Sequence, residues 1–84
     1  MGESARTKVL DVIQLIVRRE LNNPGVVVSE STTASDVEGW DSLTHVLIIV
    51  GVEKHFGIRL KSSEVAQLVN AGSLVDIVLD RGCG

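Results

Sequence analysis

The stretch EGWDSLTHV, residues 38–46, places Ser42 directly after the acidic Asp41 and directly before an apolar run. Short polar side chains at a helix start accept hydrogen bonds from unpaired N–H groups, so this order predicts a helix that opens at Asp41 or Ser42. Three interpretations of Ser42 follow: a helix cap, a nucleophile, or an attachment point for a group that the sequence does not encode.

The apolar run predicts the inward face of this second helix. We expect that face to be formed by Leu43, Val46, Ile49 and Val50, with Ile48 and Val52 widening it. The helix should end at HFGI, because Gly57 suits the left-handed position after a helix and Ile58 can fold back onto the last turn. Gly51 costs about 1 kcal/mol relative to alanine inside a helix, so we expect it either to allow a close helix contact, which we favour, or to leave room for cargo.

Upstream, an amphipathic first helix is predicted from Ser4 to Leu21. Its apolar residues recur at three- and four-residue spacing: Val9, Val12, Ile13, Ile16 and Val17. Pro24 ends this helix, because a proline keeps the residue before it out of the helical region. The three valines at 26–28 have no strand-like partner run, so we expect an extended loop anchored by valines. The whole segment from Asn22 to Trp40 is long for a loop in a compact domain, which indicates either a wrong assignment or a functional loop.

Downstream, a short third helix is predicted from a cap at Ser62 or Ser63 to Val69, where the sequence NAG stops it. Ser73 and Asp76 have the spacing of a capping box and should open the last helix. The inward residues of that helix are predicted to be Leu74, Ile77 and Val78.

Length and composition predict one small helical domain. The chain has 84 residues, which should form a single domain over 1–84 and bury roughly 60–70% of its unfolded surface. With one Trp, one Phe and no Tyr, the core must be built from Val, Ile and Leu. The expected fold class is all-α: a four-helix bundle with a long loop between helices 1 and 2 and a short third helix.

Charge and cysteine content exclude several classes of partner. The net charge is −3 and no basic cluster exceeds the pair Arg18-Arg19, which argues against nucleic acid as a partner. The longest apolar run, at 46–52, is too short to span a bilayer, and no signal peptide is recognised, so we expect a soluble protein without a membrane partner. A lone Cys83 fits a reducing cytoplasm. Two histidines and one cysteine do not make a metal site, and no heptad run predicts an oligomer, so we expect a monomer.

The nucleophile interpretation of Ser42 lacks most of its parts. His45 lies one turn further on and Asp41 is adjacent, but there is no sheet, no G-x-S-x-G turn and no glycine-rich oxyanion loop. We therefore predict no catalytic residues, and we place His45 and His55 on solvated or partner-facing turns. The attachment interpretation fits better, because a helix N-terminus favours a phosphate and Gly39 lets the entering chain bend so that the serine stays exposed.

The motif GWDSL at 39–43 matches the G-x-D-S-L motif of acyl carrier proteins and the related peptidyl carriers. The resemblance covers almost the whole chain. It includes the first helix, the ending VEKHFGIRL of helix two, and SLVDIV in the last helix. It also includes the acidic loop with Glu30, Asp36, Glu38 and Asp41, and it accounts for the length of that loop.

This resemblance implies that Ser42 receives 4′-phosphopantetheine from coenzyme A through a magnesium-dependent phosphopantetheinyl transferase. The thiol of the arm then holds an acyl group as a thioester, and the protein itself catalyses nothing. By the same match, Asp41 helps to present Ser42 and Leu43 packs under the site. Trp40 either packs the loop beside Ser42 or touches the arm.

Helix two departs from the family pattern. Carriers of fatty-acid synthesis present acidic residues along this helix, whereas here Leu47 and Lys54 occupy such positions and only Glu53 is acidic. This favours a carrier for a specialised pathway, such as polyketide, hybrid peptide or other secondary-metabolite assembly, with Trp40, Leu47 and Lys54 facing acyl-loading and acyl-processing enzymes. Leu47 is either an exposed anchor or a core residue. The alternative functions are a peptidyl or aminoacyl carrier and an unmodified helical interaction module.

Overall fold

The computed structural model describes residues 5–81. Its helices are α1 (Ala5–Leu21), α2 (Ser42–Phe56), α3 (Ser62–Ala66) and α4 (Ala71–Arg81), and a single turn of 3₁₀ helix (Ala34–Asp36) interrupts the long loop. The all-helical fold, the long loop between α1 and α2 and the short third helix are as predicted. Ser4 and Cys83 lie outside the described residues.

The core lies where α1 packs against both α2 and α4. The side chains with almost no exposed surface are all Val or Ile, as the composition predicts: Val9, Ile13, Val17, Ile48, Val52, Val75 and Val78. Trp40 and Phe56 pack against the edge of this cluster. None of the helices within residues 5–81 has the length and apolar character needed to cross a membrane.

The long loop is held along α1 by its valines and by side chains of the helix. Val26 and Val28 are buried, whereas Val27 between them is 73% exposed. The Val28 N–H donates to Gln14 Oε1 at 2.8 Å, and Arg18 Nε donates to the Val26 carbonyl at 2.7 Å. The prediction of an extended loop anchored by valines is confirmed.

The same loop is also bonded to the start of α4. The Ala71 N–H donates to the Thr32 carbonyl at 2.9 Å, and the Gly72 N–H donates to the Glu30 carbonyl at 2.8 Å. A Cβ at Gly72 would lie 2.9 Å from the Glu30 oxygen, so the approach needs a glycine. Arg6 of α1 pairs with Glu30 and Asp76, which joins the loop to two helices.

The ends of α2 follow the sequence closely. Asp41 is the N-cap, and Gly57 adopts the left-handed conformation with φ 68° and ψ 36°. The Ile58 N–H returns to the Glu53 carbonyl at 3.1 Å, and the Ile58 side chain is buried. A Cβ at Gly51 would lie 2.9 Å from Ile16 Cγ2, which confirms a close contact between α1 and α2.

The predicted inward face of α2 is partly wrong. Ile48, Ile49 and Val52 are buried, but Leu43, Val46 and Val50 are exposed. Nearly every position between 46 and 52 is apolar, so periodicity could not determine which face meets α1. Only the packing of α1 and α4 selects it.

The boundaries of α3 and α4 also differ from the prediction. The residue before α3 is Lys61, whose N–H donates to the Glu64 carboxylate at 2.9 Å, so neither Ser62 nor Ser63 is the cap. The helix ends at Ala66 instead of Val69.

The sequence NAG begins α4 instead of ending α3. Asn70 Oδ1 accepts the Ser73 N–H at 2.9 Å and so takes the capping role predicted for Ser73. Leu74 and Val78 are buried as predicted, but Ile77 is only half-buried and Val75 takes its place in the core. The glycine was misread as a stop because its contact with the Glu30 carbonyl is tertiary.

Candidate functional site

Ser42 is the first residue of α2, and its side chain is exposed. It lies at an open groove of about 650 Å³ between the end of the long loop, the first turns of α2, and α3. Trp40, His45 and Val46 line the groove beside the serine, and Val65 of α3 lines it opposite. No side-chain hydrogen bond engages Ser42 Oγ within residues 5–81, so the hydroxyl can accept a covalent group.

Asp41 organises the turn that carries Ser42. Its Oδ1 accepts the Thr44 N–H at 2.9 Å and the Thr44 hydroxyl at 3.0 Å. The Thr44 N–H, followed by the Thr44 hydroxyl, lowers the pKa of the Asp41 carboxyl below its ordinary range, so this group is ionised near neutral pH. Gly39 has φ 89°, in the left-handed region, which confirms that a glycine bends the chain here.

The cap occupies part of the helix N-terminus. Asp41 accepts the Thr44 amide and places a carboxylate there, so a phosphate on Ser42 would share this end of α2 with the charge of Asp41. The groove between the loop, α2 and α3 offers space beside the helix for a group attached to Ser42. The exposed serine and the groove beside it would therefore fit a tethered arm.

Trp40 and His45 form a pair beside the serine. Trp40 Nε1–H donates to His45 Nδ1 at 3.1 Å, and the two ring centroids are 6.2 Å apart. Both side chains are half-buried, and Trp40 packs against the core while also lining the groove. Trp40 thus packs the loop beside Ser42 and also borders the groove, so contact with an arm on Ser42 stays a prediction. Because His45 Nδ1 accepts from an indole, His45 is not arranged as a base for Ser42.

Leu43 does not pack under the site. Its side chain is 71% exposed. Leu47 is 44% exposed, which settles the alternative between anchor and core in favour of the surface. Together with Val46 and Val50 these residues form an apolar strip along the outer side of α2, which ends at the exposed Lys54.

The acidic residue of α2 is engaged inside the fold. Glu53 is half-buried, and its Oε2 accepts the Leu60 N–H at 2.8 Å, so it supports the turn after the helix. The exposed side of α2 after Ser42 therefore presents no free carboxylate. Within residues 5–81, no group of three His, Cys, Asp or Glu side chains is placed to hold a metal ion.

Sequence reasoning missed several contributors to the site. Thr44, three residues after Asp41, completes the cap, and its position in DSLT was a readable signal. Val65 and Leu68 line the groove from beyond α2, and no local pattern marks them. Their role depends on how α3 lies against the loop.

Comparisons with known proteins agree with this arrangement. The sequence profile of the family described as "Phosphopantetheine attachment site" matches residues 11–78. The acyl carrier protein of Thermosynechococcus vestitus is 28% identical over 74 residues, which are 87% of this chain and 90% of that protein. The acyl carrier protein of Helicobacter pylori is 28% identical over 68 residues, which are 81% of this chain and 87% of that protein.

A solved structure matches as well. The solution NMR structure of holo acyl carrier protein from Geobacter metallireducens has a TM-score of 0.80 and 34% sequence identity, covering 87% of this chain and 84% of that one. The family match at residues 11–78 spans the long loop and the exposed serine at the start of α2. The chain therefore belongs to the phosphopantetheine attachment family of acyl carrier proteins, whose members carry their cofactor and cargo but are not enzymes.

Proposed function

We propose that Ser42 is the residue that carries 4′-phosphopantetheine and that residues 1–84 form one carrier domain. The observation that supports this most directly is the position of Ser42. It is exposed, starts α2, and opens onto a groove of about 650 Å³. The other serines with exposed side chains near helix starts, Ser62 and Ser63, belong to the short α3 and lack this motif.

The attachment reaction takes place on a phosphopantetheinyl transferase. Ser42 Oγ attacks the β-phosphorus of coenzyme A, a phosphodiester forms, and adenosine 3′,5′-bisphosphate leaves. The serine proton passes to a base of the transferase. In this step the chain contributes presentation: Asp41 fixes the first turn through Thr44, and Gly39 sets the bend before it.

The arm then carries an acyl or related group as a thioester. Tethering raises the local concentration of that group at a docked enzyme and lets successive enzymes act on one intermediate. The partners are therefore the transferase and acyl-loading and acyl-processing enzymes. A single cysteine in the chain supports a cytoplasmic location.

We also propose that the carrier serves a specialised pathway, such as polyketide, hybrid peptide or other secondary-metabolite assembly. The support is the outer side of α2, where Leu47 and Lys54 are exposed. The carboxylate of Glu53 accepts the Leu60 N–H and is therefore not presented to a partner. An enzyme that docks here meets an apolar strip, and Trp40 lies at its Ser42 end. Apolar contact then carries recognition, with little long-range steering by charge.

Intact mass measurement tests the attachment. The chain is co-expressed with a promiscuous phosphopantetheinyl transferase, and a gain equal to one phosphopantetheine is expected. Ser42→Ala should abolish the gain, whereas the matched variants Ser62→Ala and Ser63→Ala should retain it. A mass gain in the Ser42→Ala variant would contradict the assignment. Absence of a mass gain in the wild-type chain would favour the unmodified interaction module. Loading of the holo chain by acyl or by aminoacyl donors then separates an acyl carrier from a peptidyl carrier.

A further inference from the structure

His45 borders the groove that contains Ser42, and a hydrogen bond fixes the position of its ring. The two residues are three positions apart on α2, and side chains at this spacing are neighbours on a helix surface. Both line the open groove of about 650 Å³ beside the helix start. Helical side chains lean toward the N-terminus of their helix, and the bond from Trp40 shows that the His45 ring reaches back over the first turn.

The bond from Trp40 also determines which ring nitrogen of His45 carries the proton. The indole N–H is a donor only, so Nδ1 accepts it at 3.1 Å and the neutral imidazole keeps its proton on Nε2. Within residues 5–81 no partner engages this Nε2–H. No buried side-chain nitrogen or oxygen in that part of the chain lacks a partner, so Nε2 reaches solvent. His45 therefore offers an unused donor one turn away from Ser42.

The other residues around the groove leave His45 as the side chain best suited to an anion. Asp41 places a carboxylate at the start of α2, and no lysine or arginine of the described residues lines the groove. The hydroxyl of Ser35 lines it too, but this hydroxyl shares a hydrogen bond of 3.0 Å with the Thr33 hydroxyl. Of the side chains that line the groove, the imidazole of His45 is the one that can become positively charged.

We propose that His45 binds the phosphate of the arm, with its Nε2–H donating to the phosphodiester that links 4′-phosphopantetheine to Ser42. This inference rests on attachment of the arm to Ser42. A hydrogen bond to an ionised acceptor is about twice as strong as one between neutral groups, so the phosphodiester competes well with water for this N–H. The contact holds the first atoms of the arm on the side of α2 where the groove lies.

Nuclear magnetic resonance of the holo chain tests the contact. The chain is co-expressed with a promiscuous phosphopantetheinyl transferase, and intact mass first establishes that one phosphopantetheine is attached. Both carbon-bound protons of an imidazole are on the carbons next to Nε2. A ring that donates from Nε2 to the phosphate therefore brings these protons close to the first methylene of the arm. We expect nuclear Overhauser contacts between the His45 ring protons and that methylene.

The phosphorus resonance gives a second readout, which a merely structural role of His45 would not change. A phosphodiester keeps its single charge between about pH 5 and pH 8, whereas an imidazole changes its charge in this range. The phosphorus-31 shift of the wild-type holo chain should therefore follow the titration of His45.

No other group beside the groove explains such a shift. The residues that the loop before Trp40, α3 and α4 place around His45 carry no ionisable side chain. Asp41 also lines the groove, but the Thr44 N–H keeps the pKa of its carboxyl below the ordinary range, so it stays ionised throughout the titration.

Three variants separate the contact from general effects on the fold. His45→Gln can accept the indole N–H through its carbonyl and donate through its amide, so contacts from its amide protons to the arm should remain while the pH dependence disappears. His45→Leu has no donor and should lose both signals. His55→Leu, a matched change near the other end of α2, should behave like the wild-type chain.

The outcomes separate this inference from the attachment itself. Ring contacts and a pH-dependent phosphorus shift that disappear in His45→Leu would support it. A wild-type holo chain of the correct mass that lacks either signal would overturn it and leave attachment at Ser42 intact. A pH dependence that persists in His45→Leu would also overturn it, and if this variant does not fold, the wild-type and His45→Gln spectra decide. A wild-type chain that gains no mass would contradict the attachment and the contact together.

Discussion

Two glycines in helices of this chain allow close approaches of different kinds. A Cβ at Gly72 would meet the backbone carbonyl of Glu30 at 2.9 Å, whereas a Cβ at Gly51 would meet a methyl group of Ile16 at the same distance. A carbonyl that accepts the hydrogen bond of this same residue cannot move without breaking it, whereas the buried, β-branched Ile16 breaks no hydrogen bond when it shifts but has little rotamer freedom. At this scale the sequence shows a glycine in each case, and only the structure shows which atom it faces.

This difference predicts the stabilities of two matched variants. Gly72→Ala should lower the free energy of unfolding by about 1–3 kcal/mol, the usual cost of overpacking. Gly51→Ala should cost less than Gly72→Ala, because a gain of about 1 kcal/mol in helix propensity offsets part of the overpacking against Ile16. Urea denaturation measures both. Equal stabilities of the two variants would contradict the account of the contact between the loop and α4.

Asp41 gives a prediction about pH. Its folded-state pKa is lowered below the ordinary 3.8 by the Thr44 N–H and hydroxyl, so the unfolded chain binds the proton first as pH falls. The stabilisation is fully present above that ordinary value and is lost as pH falls through the lower folded value. Asp41→Asn can keep the cap without this titration, so it should melt close to the wild-type temperature at neutral pH but decline less in acid.

The matched variant Asp41→Ala removes the cap itself and should melt several degrees lower at neutral pH. Thermal unfolding followed by circular dichroism between neutral pH and pH 3 compares the three proteins. The same acid decline in Asp41→Asn as in the wild-type chain would show that the carboxylate of Asp41 is not the titrating group that matters.

At the scale of the elements, α2 shows which features of a helix the sequence predicts and which it does not. Its two ends were predicted correctly, because Asp41, Gly57 and Ile58 act on backbone groups next to them. Its inward face was predicted partly wrong, because apolar residues surround the helix and only contact with α1 and α4 selects Ile48 and Val52. The same limit applies at α4, where Gly72 looks like a stop signal until the Glu30 carbonyl is placed beside it.

The corrected face of α2 gives a paired prediction. Leu47→Glu should change the free energy of unfolding by less than about 0.5 kcal/mol, because the side chain lies on the surface. Ile48→Ala, one position further, should cost about 2–5 kcal/mol, because it empties a fully buried site. Denaturation gives both values.

Cargo loading of the same variant tests recognition. Leu47→Glu should weaken loading by the enzyme that supplies the cargo, while the wild-type reaction should change little between low and moderate salt. A loading rate that falls steeply with salt, with Leu47→Glu fully active, would assign recognition to the acidic loop that contains Glu38 and Asp41.

At the scale of the whole molecule, the long loop acts as a third layer of packing. Val26 and Val28 bury themselves against α1, Thr32 and Glu30 bond to α4, and Trp40 closes the loop against the core. The sequence predicted that the loop exists and that valines anchor it. It did not predict the bonds to α4, because they join segments that no local pattern connects, and it did not predict the Trp40–His45 pair, because that contact depends on the bend at Gly39 and the rotamers of both rings.

A monomer without bound metal is predicted for residues 1–84. The exposed apolar strip of α2 is narrow and starts at Ser42, so a stable dimer through it would block the site. Sedimentation in reducing buffer should give the monomer mass, and elemental analysis should find no stoichiometric metal. A dimer that dissociates when reductant is added would identify a disulfide through Cys83. A dimer that persists in reducing buffer would contradict the prediction of a monomer.

The identity of the modified residue is the most direct test of the account. Tryptic digestion of the holo chain gives one peptide from Glu20 to Lys54, which contains Ser42, and another from Ser62 to Arg81. Tandem mass spectrometry should find phosphopantetheine on the first peptide, and fragmentation should assign it to Ser42 and not to the loop serines at 29, 31 or 35. Phosphopantetheine on Ser62, Ser63 or Ser73 would contradict the assignment of Ser42 as the attachment site.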